Sequence, residues 1–458
     1  MRLISANSST SRPGTDHTIS MKEYKGIPIS KVQRASRFIS AGAKIGTNYL
    51  KHYGRQLVNP DQSKDKLHED NASDIYTSLS ELKGSALKVA QMLSMDKNLL
   101  PTAYQKQFSM AQYSAPPLSY PLVVRTFEKY LGKRPLEIFD TFSRSARNAA
   151  SMGQVHQATK GNHKLAVKVQ YPGVADSVKS DLAMVKPIAL KMFKLNPVEY
   201  NEFIGEVESK LLEEADYALE LKRSMELSVK CGNIENLKFP KYYPEYSSEK
   251  VLTMDWLEGK PLGEYLKHKK PTQQEADKLG QALWDFYHFQ MHELRALHAD
   301  PHPGNFIITD DGKLGVIDFG CVKVIPKSFY PIYFQLLDKG ILSDKDWLNK
   351  AFYQLRFIYE DDTPKDKAFF TEVFTELVEL LGRPFKTSQF DFADNRYFES
   401  LYQFGESISN LKEFRESKKA RGIKDALYIN RTYFGLYNLL NELGAKVNTA
   451  SWVPQNFN

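Results

Sequence analysis

The stretch LHADPHPGNF, residues 297–306, constrains this chain more than any other. Two prolines and a glycine in ten residues exclude a helix or a strand interior, because both residue types punctuate regular structure. The apolar residues on either side must therefore end one element and begin another. The run from Phe306 onward, FIITDDGKLGVIDFG, reads as a strand, a DDG turn and a second strand. Asp300 thus stands five residues before Asn305, and Asp318 thirteen after it, all three at the ends of ordered elements.

That spacing has a chemistry. H-x-D-x-x-x-x-N followed by D-F-G is the signature of a kinase catalytic loop and metal loop, here with Ala299 in place of the usual arginine. A triphosphate needs metal ions bridging its oxygens during phosphoryl transfer. Mg²⁺ selects hard oxygen ligands, which an Asp318 carboxylate and an Asn305 amide would supply. Asp300 would orient or deprotonate the nucleophile. His298, Asp300 and His302 also resemble hydrolase metal ligands, but a dinuclear site needs further ligands, and the other histidines do not cluster to supply them.

Upstream parts fit the same reading. KLAVKVQ places Lys168 on a strand, where it would hold the α/β-phosphates, across a Gly-Asn turn from the strand QVHQAT. Its carboxylate partner is expected on the next helix, where Glu213, Glu214, Asp216 and Glu220 are all available. KVLTMDWLEG is the expected adenine-holding connector, with backbone groups at Met254, Asp255 and Leu257. No G-x-G-x-x-G precedes Lys168. NAASMGQVHQA stands there instead, so Ala149, Ala150, Ser151, Gly153 and Val155 take the nucleotide-cradling positions. Side chains keep a backbone further from phosphate than glycines do, so altered nucleotide handling is expected rather than ordinary peptide phosphorylation.

Composition sets the frame. The 458 residues exceed what one core usually spans. Two cysteines, Cys231 and Cys321, favour a reducing compartment over a disulfide framework. The net charge of +7 is concentrated: residues 1–60 hold ten Lys or Arg against Asp16 and Glu23. The remainder is close to neutral, which gives no reason to expect nucleic acid as a partner. No apolar run is long enough to span a bilayer, and the N-terminus lacks a secretory h-region.

Along the chain, residues 1–28 read as a disordered tail. ISKVQRASRFISAGAKIGTNYLKHYGR (29–55) is a basic amphipathic helix that would lie on an anionic membrane or dock on its own protein. Gly42 and Gly46 in it give a GxxxG spacing, which suits a second copy of the chain. Residues 56–73 read as a linker. The next helix carries KVAQ, 88–91, with Val89 and Ala90 in its apolar stripe and Lys88 and Gln91 on another face. A kinase-like N-lobe is expected over 122–257, with one long helix over 200–228, and a mostly helical C-lobe over 258–458. In that C-lobe, 272–297 should be helix and everything after 326 helical.

With these residues in view, the chain resembles the UbiB family, also called ABC1 or ADCK, of atypical kinase-like proteins. NAASMGQVHQA resembles its alanine-rich loop, AVKVQYPGV its strand-lysine signature, EADYALE its ExD element, HADPHPGNF and VIDFG its catalytic and metal loops. KVAQ resembles its KxGQ motif, with Ala90 replacing glycine. The resemblance implies an α+β, bilobal, atypical protein-kinase-like fold whose N-terminal helical extension (29–121) covers the active site. It implies ATP and Mg²⁺ as cofactors, with Lys88 and Gln91 facing the pocket near Glu214 and Asp216, and Lys168 paired with Glu220. Function would be that of an ATPase or small-molecule kinase serving isoprenoid-quinone or related lipid metabolism, cytoplasmic and peripheral on the inner face of a membrane. The competing expectation is a nucleotide-binding pseudokinase scaffold without phosphoryl transfer.

Overall fold

The structure, a computed structural model, describes residues 65–82, 118–149, 152–193, 197–338, 340–411 and 421–452, with a few isolated positions besides. The KVAQ run with Lys88 and Gln91, the loop residues Ala150 and Ser151, and nearly all of the basic stretch 29–55 lie outside the described residues.

Among the continuously described residues the first helices are α1 (Asp65–Leu82) and α2 (Tyr120–Leu131). Helix α2 stops at Gly132, whose φ of 69° is the left-handed conformation that ends helices and that glycine adopts without a Cβ penalty. A five-stranded antiparallel sheet comes next: β1 (Thr141–Phe142), β2 (Asn148–Ala149), β3 (Gly153–Lys160), β4 (His163–Gln170) and, later in the chain, β6 (Val251–Asp255). Strands β3 and β4 pair from Gly153↔Gln170 to Lys160↔His163. The two residues between them start with Gly161 at φ 57°, as a tight hairpin of this length requires. Helices α3 (Val174–Phe193), α4 (Pro197–Glu214) and α5 (Tyr217–Lys230) come after the hairpin. Val123, Phe127, Phe139, Phe142, Val167, Val169, Val178 and Leu211 join α2, the sheet, α3 and α4 in one core.

The second half is built on a larger core. A four-stranded sheet runs β5 (Leu237–Lys238), β10 (Leu314–Val316), β9 (Phe306–Thr309), β7 (Gly259–Pro261). Strand β8 (Ala296–His298) pairs with β11 (Val322–Val324). Helices α6 (Leu262–His268) and α7 (Gln273–Phe289) precede them, and later come α8 (Tyr330–Gln335), α9 (Lys345–Gln354), α10 (Pro364–Gly382), α11 (Asn395–Asn410) and α12 (Lys424–Leu443). Trp284, Tyr287, Phe306, Phe319, Tyr433 and Tyr437 are fully buried among them.

Four local expectations are corrected. The linker over 56–73 gives way to α1 from Asp65, because Leu67, Asn71 and Ala72 are buried and fix that turn as helix. Asn48, before it, donates to Asn71 Oδ1 (3.1 Å) and Asp74 Oδ2 (2.8 Å), so at this point the basic stretch is tied to the protein itself. The helix over 200–228 is two helices. Asp216 caps α5 by accepting the Leu219 N–H (3.0 Å), and the Ala215 carbonyl accepts from the Gln170 amide (2.7 Å) instead of continuing the α4 ladder. The helix expected to reach residue 297 loosens into a π turn at Gln290–Leu294 and ends at Arg295, φ 52°. Beyond 326 the chain is not all helical: β12 (Gln389–Asp391) pairs with β13 (Lys446–Asn448).

Candidate active site

Lys168 lies on β4, in a run of buried residues from Leu165 to Gln170. Its ammonium donates to both carboxylate oxygens of Glu220 (2.8 and 2.9 Å) and to Asp318 Oδ2 (3.2 Å). Of the four carboxylates on this stretch, packing brings Glu220 to Lys168, the partner that the family resemblance implies. The break at Ala215–Asp216 turns α5 so that Glu220, one turn in, is buried to 1% exposure. Glu213 is drawn away by Lys210 (3.1 Å) and Arg223 (2.8 Å), and Asp216 serves as the cap of α5. Glu214 stays near the site. A Cβ on Gly320 would meet Glu214 Cγ at 3.5 Å and Glu220 Oε2 at 3.7 Å.

Asp318 comes just after β10, and the β9–β10 hairpin brings it beside Asn305. Phe306 pairs with Val316, and the Ile317 N–H donates to the Asn305 carbonyl (3.2 Å). Asp318 Oδ1 accepts the Gly320 N–H at 2.8 Å. The Asn305 amide nitrogen faces Asp300, 3.0 Å from its carbonyl and 3.4 Å from Oδ2, so the amide oxygen is turned the other way. His298 is buried, with Nδ1 3.1 Å from the Tyr287 hydroxyl, and its N–H donates to Gln290 Oε1 (2.9 Å). The π turn sets Gln290 there. His302 points elsewhere, accepting the Gly304 N–H at 3.0 Å to close the turn Pro303–Asn305. Phe319 sits in the core against His298 and Phe286.

The electrostatics arise from this crowding. Burial alone would lower the Lys168 pKa, but Asp318 and Glu220 outweigh it and raise it well above the ordinary lysine value. Burial pushes the Glu220 carboxyl up to about 7, against the pull of Lys168. Asp318 is 35% exposed at its side chain. Burial opposes its charge, yet Lys168 and the Gly320 N–H hold it below the ordinary aspartate value. Asp318, Glu214 and Asp300 all lie within electrostatic reach of this cluster. A divalent cation with oxygen preference fits the donor set, with Asp318 and Asn305 as the residues to hold it.

The glycine-poor loop and the connector take up the rest of the sequence-assigned positions. Gly153 opens β3. Its missing side chain serves packing, because a Cβ would overlap the Val169 carbonyl and stand 2.6 Å from the Tyr217 hydroxyl. Val155 pairs with Lys168 across the hairpin, and Ala149 pairs with Gln154. In the connector, the N–H groups of Asp255 and Trp256 are already bonded to Lys241 O (2.8 Å) and Lys164 O (2.9 Å). Met254 is buried between Ala166 and Tyr242. Leu257 packs over Gly315, two residues before Ile317.

Two residues here carried no sequence signal. Tyr217, fully buried, puts its ring 4.9 Å under the Lys168 ammonium. Gln154, also fully buried, accepts the Leu118 N–H at 2.6 Å and so ties β3 to the start of α2.

A lysine held by a helix glutamate, a D-F-G with a buried phenylalanine and an aspartate–asparagine loop, set between an antiparallel sheet and a helical half, define a protein-kinase-like protein. The comparisons narrow the class. The model of the ABC1 atypical kinase-like domain matches residues 110–352, and the chain belongs to that family. An uncharacterized chloroplastic aarF domain-containing protein kinase of Arabidopsis thaliana is 32% identical over 65% of this chain and 41% of its own length. AarF domain-containing protein kinase 1 of Xenopus laevis is 28% identical, with 62% of its length covered. The chain thus spans less than two thirds of these relatives. The mitochondrial atypical kinase COQ8 of Saccharomyces cerevisiae is 23% identical over 94% of this chain and 85% of its own. Among solved structures, Rv3197 of Mycobacterium tuberculosis, in complex with erythromycin, superposes with a TM-score of 0.58 at 25% identity, covering 85% of this chain and 97% of that one.

Proposed function

We propose that this chain is a Mg-ATP-dependent atypical kinase or ATPase of the UbiB type, supporting isoprenoid-quinone or related lipid metabolism at a membrane surface. The observation that carries the reading is the Lys168 ammonium held between Glu220 and Asp318. Glu220 aims Lys168 at the α/β-phosphates. Asp318 and Asn305 would hold Mg²⁺, which would supply neutralisation of the phosphate charge there. Asp300 orients the attacking hydroxyl or water and accepts its proton as the γ-phosphoryl group leaves ADP. Adenine sits against the connector, where Leu257 supplies the next peptide group past those already bonded. Lys88, Gln91, Glu214 and Asp216 gate the pocket, and Ala149, Ala150 and Ser151 bound its phosphate end. Residues 122–257 act as the N-lobe and 258–458 as the C-lobe.

The COQ8 names of relatives support the quinone reading. The ten cations of residues 1–60 support attachment to an anionic leaflet. Among the described residues no helix is long and apolar enough to cross a membrane, so attachment is peripheral in this reading.

The test is ADP release from Mg-ATP by the purified protein, with and without anionic liposomes, beside Asp318→Asn. Release that rises with liposomes and disappears in the variant is expected. Nucleotide bound without release under both conditions replaces the enzyme by a scaffold.

A further inference from the structure

The catalytic-loop run holds two prolines that the chemistry of Asp300 and Asn305 does not require. Each rests on a glycine of a helix. Pro303 lies against Gly263 of α6 with room to spare, since a Cβ there would meet Pro303 Cβ at 3.5 Å, an ordinary contact. Pro301 lies against Gly435 of α12 with no room at all. A Cβ on Gly435 would overlap the Pro301 Cγ, stand 2.9 Å from its Cβ and 3.4 Å from its carbonyl oxygen. A glycine inside a 20-residue helix is unfavourable by propensity, so close approach is the reason for this one.

The same face of α12 grips the other limb of the site. Asp425, Tyr428 and Gly435 succeed one another at spacings of three and seven residues, which align on an α-helix. Asp425 holds the Lys323 ammonium at 2.9 Å, with both side chains largely buried, and the Tyr428 ring lies 5.0 Å from that ammonium. Lys323 belongs to β11, which starts two residues after the D-F-G. Strand β11 pairs with β8 through Val322↔His298, and the Ala299 N–H donates to the Cys321 carbonyl at 2.9 Å. One helix therefore touches the residue after Asp300 and the strand after Asp318. It lies wholly beyond residues 110–352, the part matched to the family.

We propose that α12 is the brace that sets Asp300 relative to Asp318, and that Gly435 is a positioning residue acting through Pro301. The proposal rests on the reading of Asp300 as the group that orients the nucleophile.

The experiment compares the full chain with Gly435→Ala, Pro301→Ala, the double variant and Gly263→Ala, by hydrogen exchange of the segment 299–305 and by ADP release. Within that segment the His302 and Asn305 amides are bonded at 2.7 and 2.9 Å, so displacement of the loop is read there directly. Gly435→Ala is expected to speed exchange of the segment about tenfold. It should lower turnover by roughly ten- to a hundredfold, with KM for Mg-ATP changed less than about twofold. Adding Pro301→Ala removes the Cγ overlap and leaves only the 2.9 Å contact with the Cβ, so both readouts should return most of the way to those of Pro301→Ala alone, while Gly263→Ala matches the parent chain. Unchanged exchange in Gly435→Ala overturns the brace, as does a loss that Pro301→Ala does not relieve. If the parent chain releases no ADP, the turnover reading fails, and the exchange arm still decides the brace.

Discussion

At the scale of single residues, the site is dominated by one buried lysine and the two carboxylates that share it. Glu220 is the unusual member, because burial pushes its carboxyl up to about 7 while Lys168 pulls the other way. A raised acid pKa means the folded state holds a proton that the unfolded chain has already lost. Stability from this group is therefore complete below about pH 4.5 and is lost as pH rises through about 7. The stability of the parent chain relative to Glu220→Gln should fall between about pH 4.5 and about pH 7, by up to about 3 kcal/mol. Urea unfolding of both chains at several pH values checks this, and a difference independent of pH would mean Glu220 stays ionised throughout. Over the same window the Lys168–Glu220 pair becomes fully charged.

At the scale of elements, the β3–β4 hairpin and α5 meet with no clearance. Gly153 lets the Tyr217 hydroxyl approach β3, and Tyr217 in turn lies under Lys168. Gly153→Ala must push that ring, and overpacking of this kind costs about 1–3 kcal/mol. Denaturant unfolding should show that loss, and Tyr217→Phe in the same chain should recover part of it by removing the side-chain oxygen that the new methyl would meet at 2.6 Å. An unaltered midpoint in Gly153→Ala would show that β3 moves freely away from α5. The break between α4 and α5 belongs to this scale too. The acidic-basic pattern of 200–228 is helical throughout, and periodicity alone does not register that Ala215 gives its carbonyl to Gln170, 45 residues earlier.

At the scale of the whole molecule, the residues that would hold Mg-ATP come from both halves: Lys168 from the first sheet, Asn305 and Asp318 from the hairpin of the second. A ligand bound by both joins them and stabilises the folded chain by mass action, about 2.7 kcal/mol at a hundredfold excess over Kd. Mg-ATP should therefore raise the thermal midpoint. EDTA or Asp318→Asn should reduce the rise, because both remove the cation that links phosphate to the second half. A rise indifferent to EDTA would place nucleotide affinity in the first half alone.

Elements whose signal is local could be read from the residues alone. The Gly-Asn hairpin of β3–β4, the helix stop at Gly132, the DDG hairpin and the spacing of Asp300, Asn305 and Asp318 are all set by neighbours a few residues apart. It took long-range packing to select which of four carboxylates meets Lys168, to make Asp216 the cap of a new helix, and to set Pro301 against a glycine 134 positions later. Periodicity and turn chemistry act along the chain over one or two turns. Clearance between packed surfaces depends on where distant elements come to rest, and nothing in the local pattern at Gly435 or Glu220 encodes that.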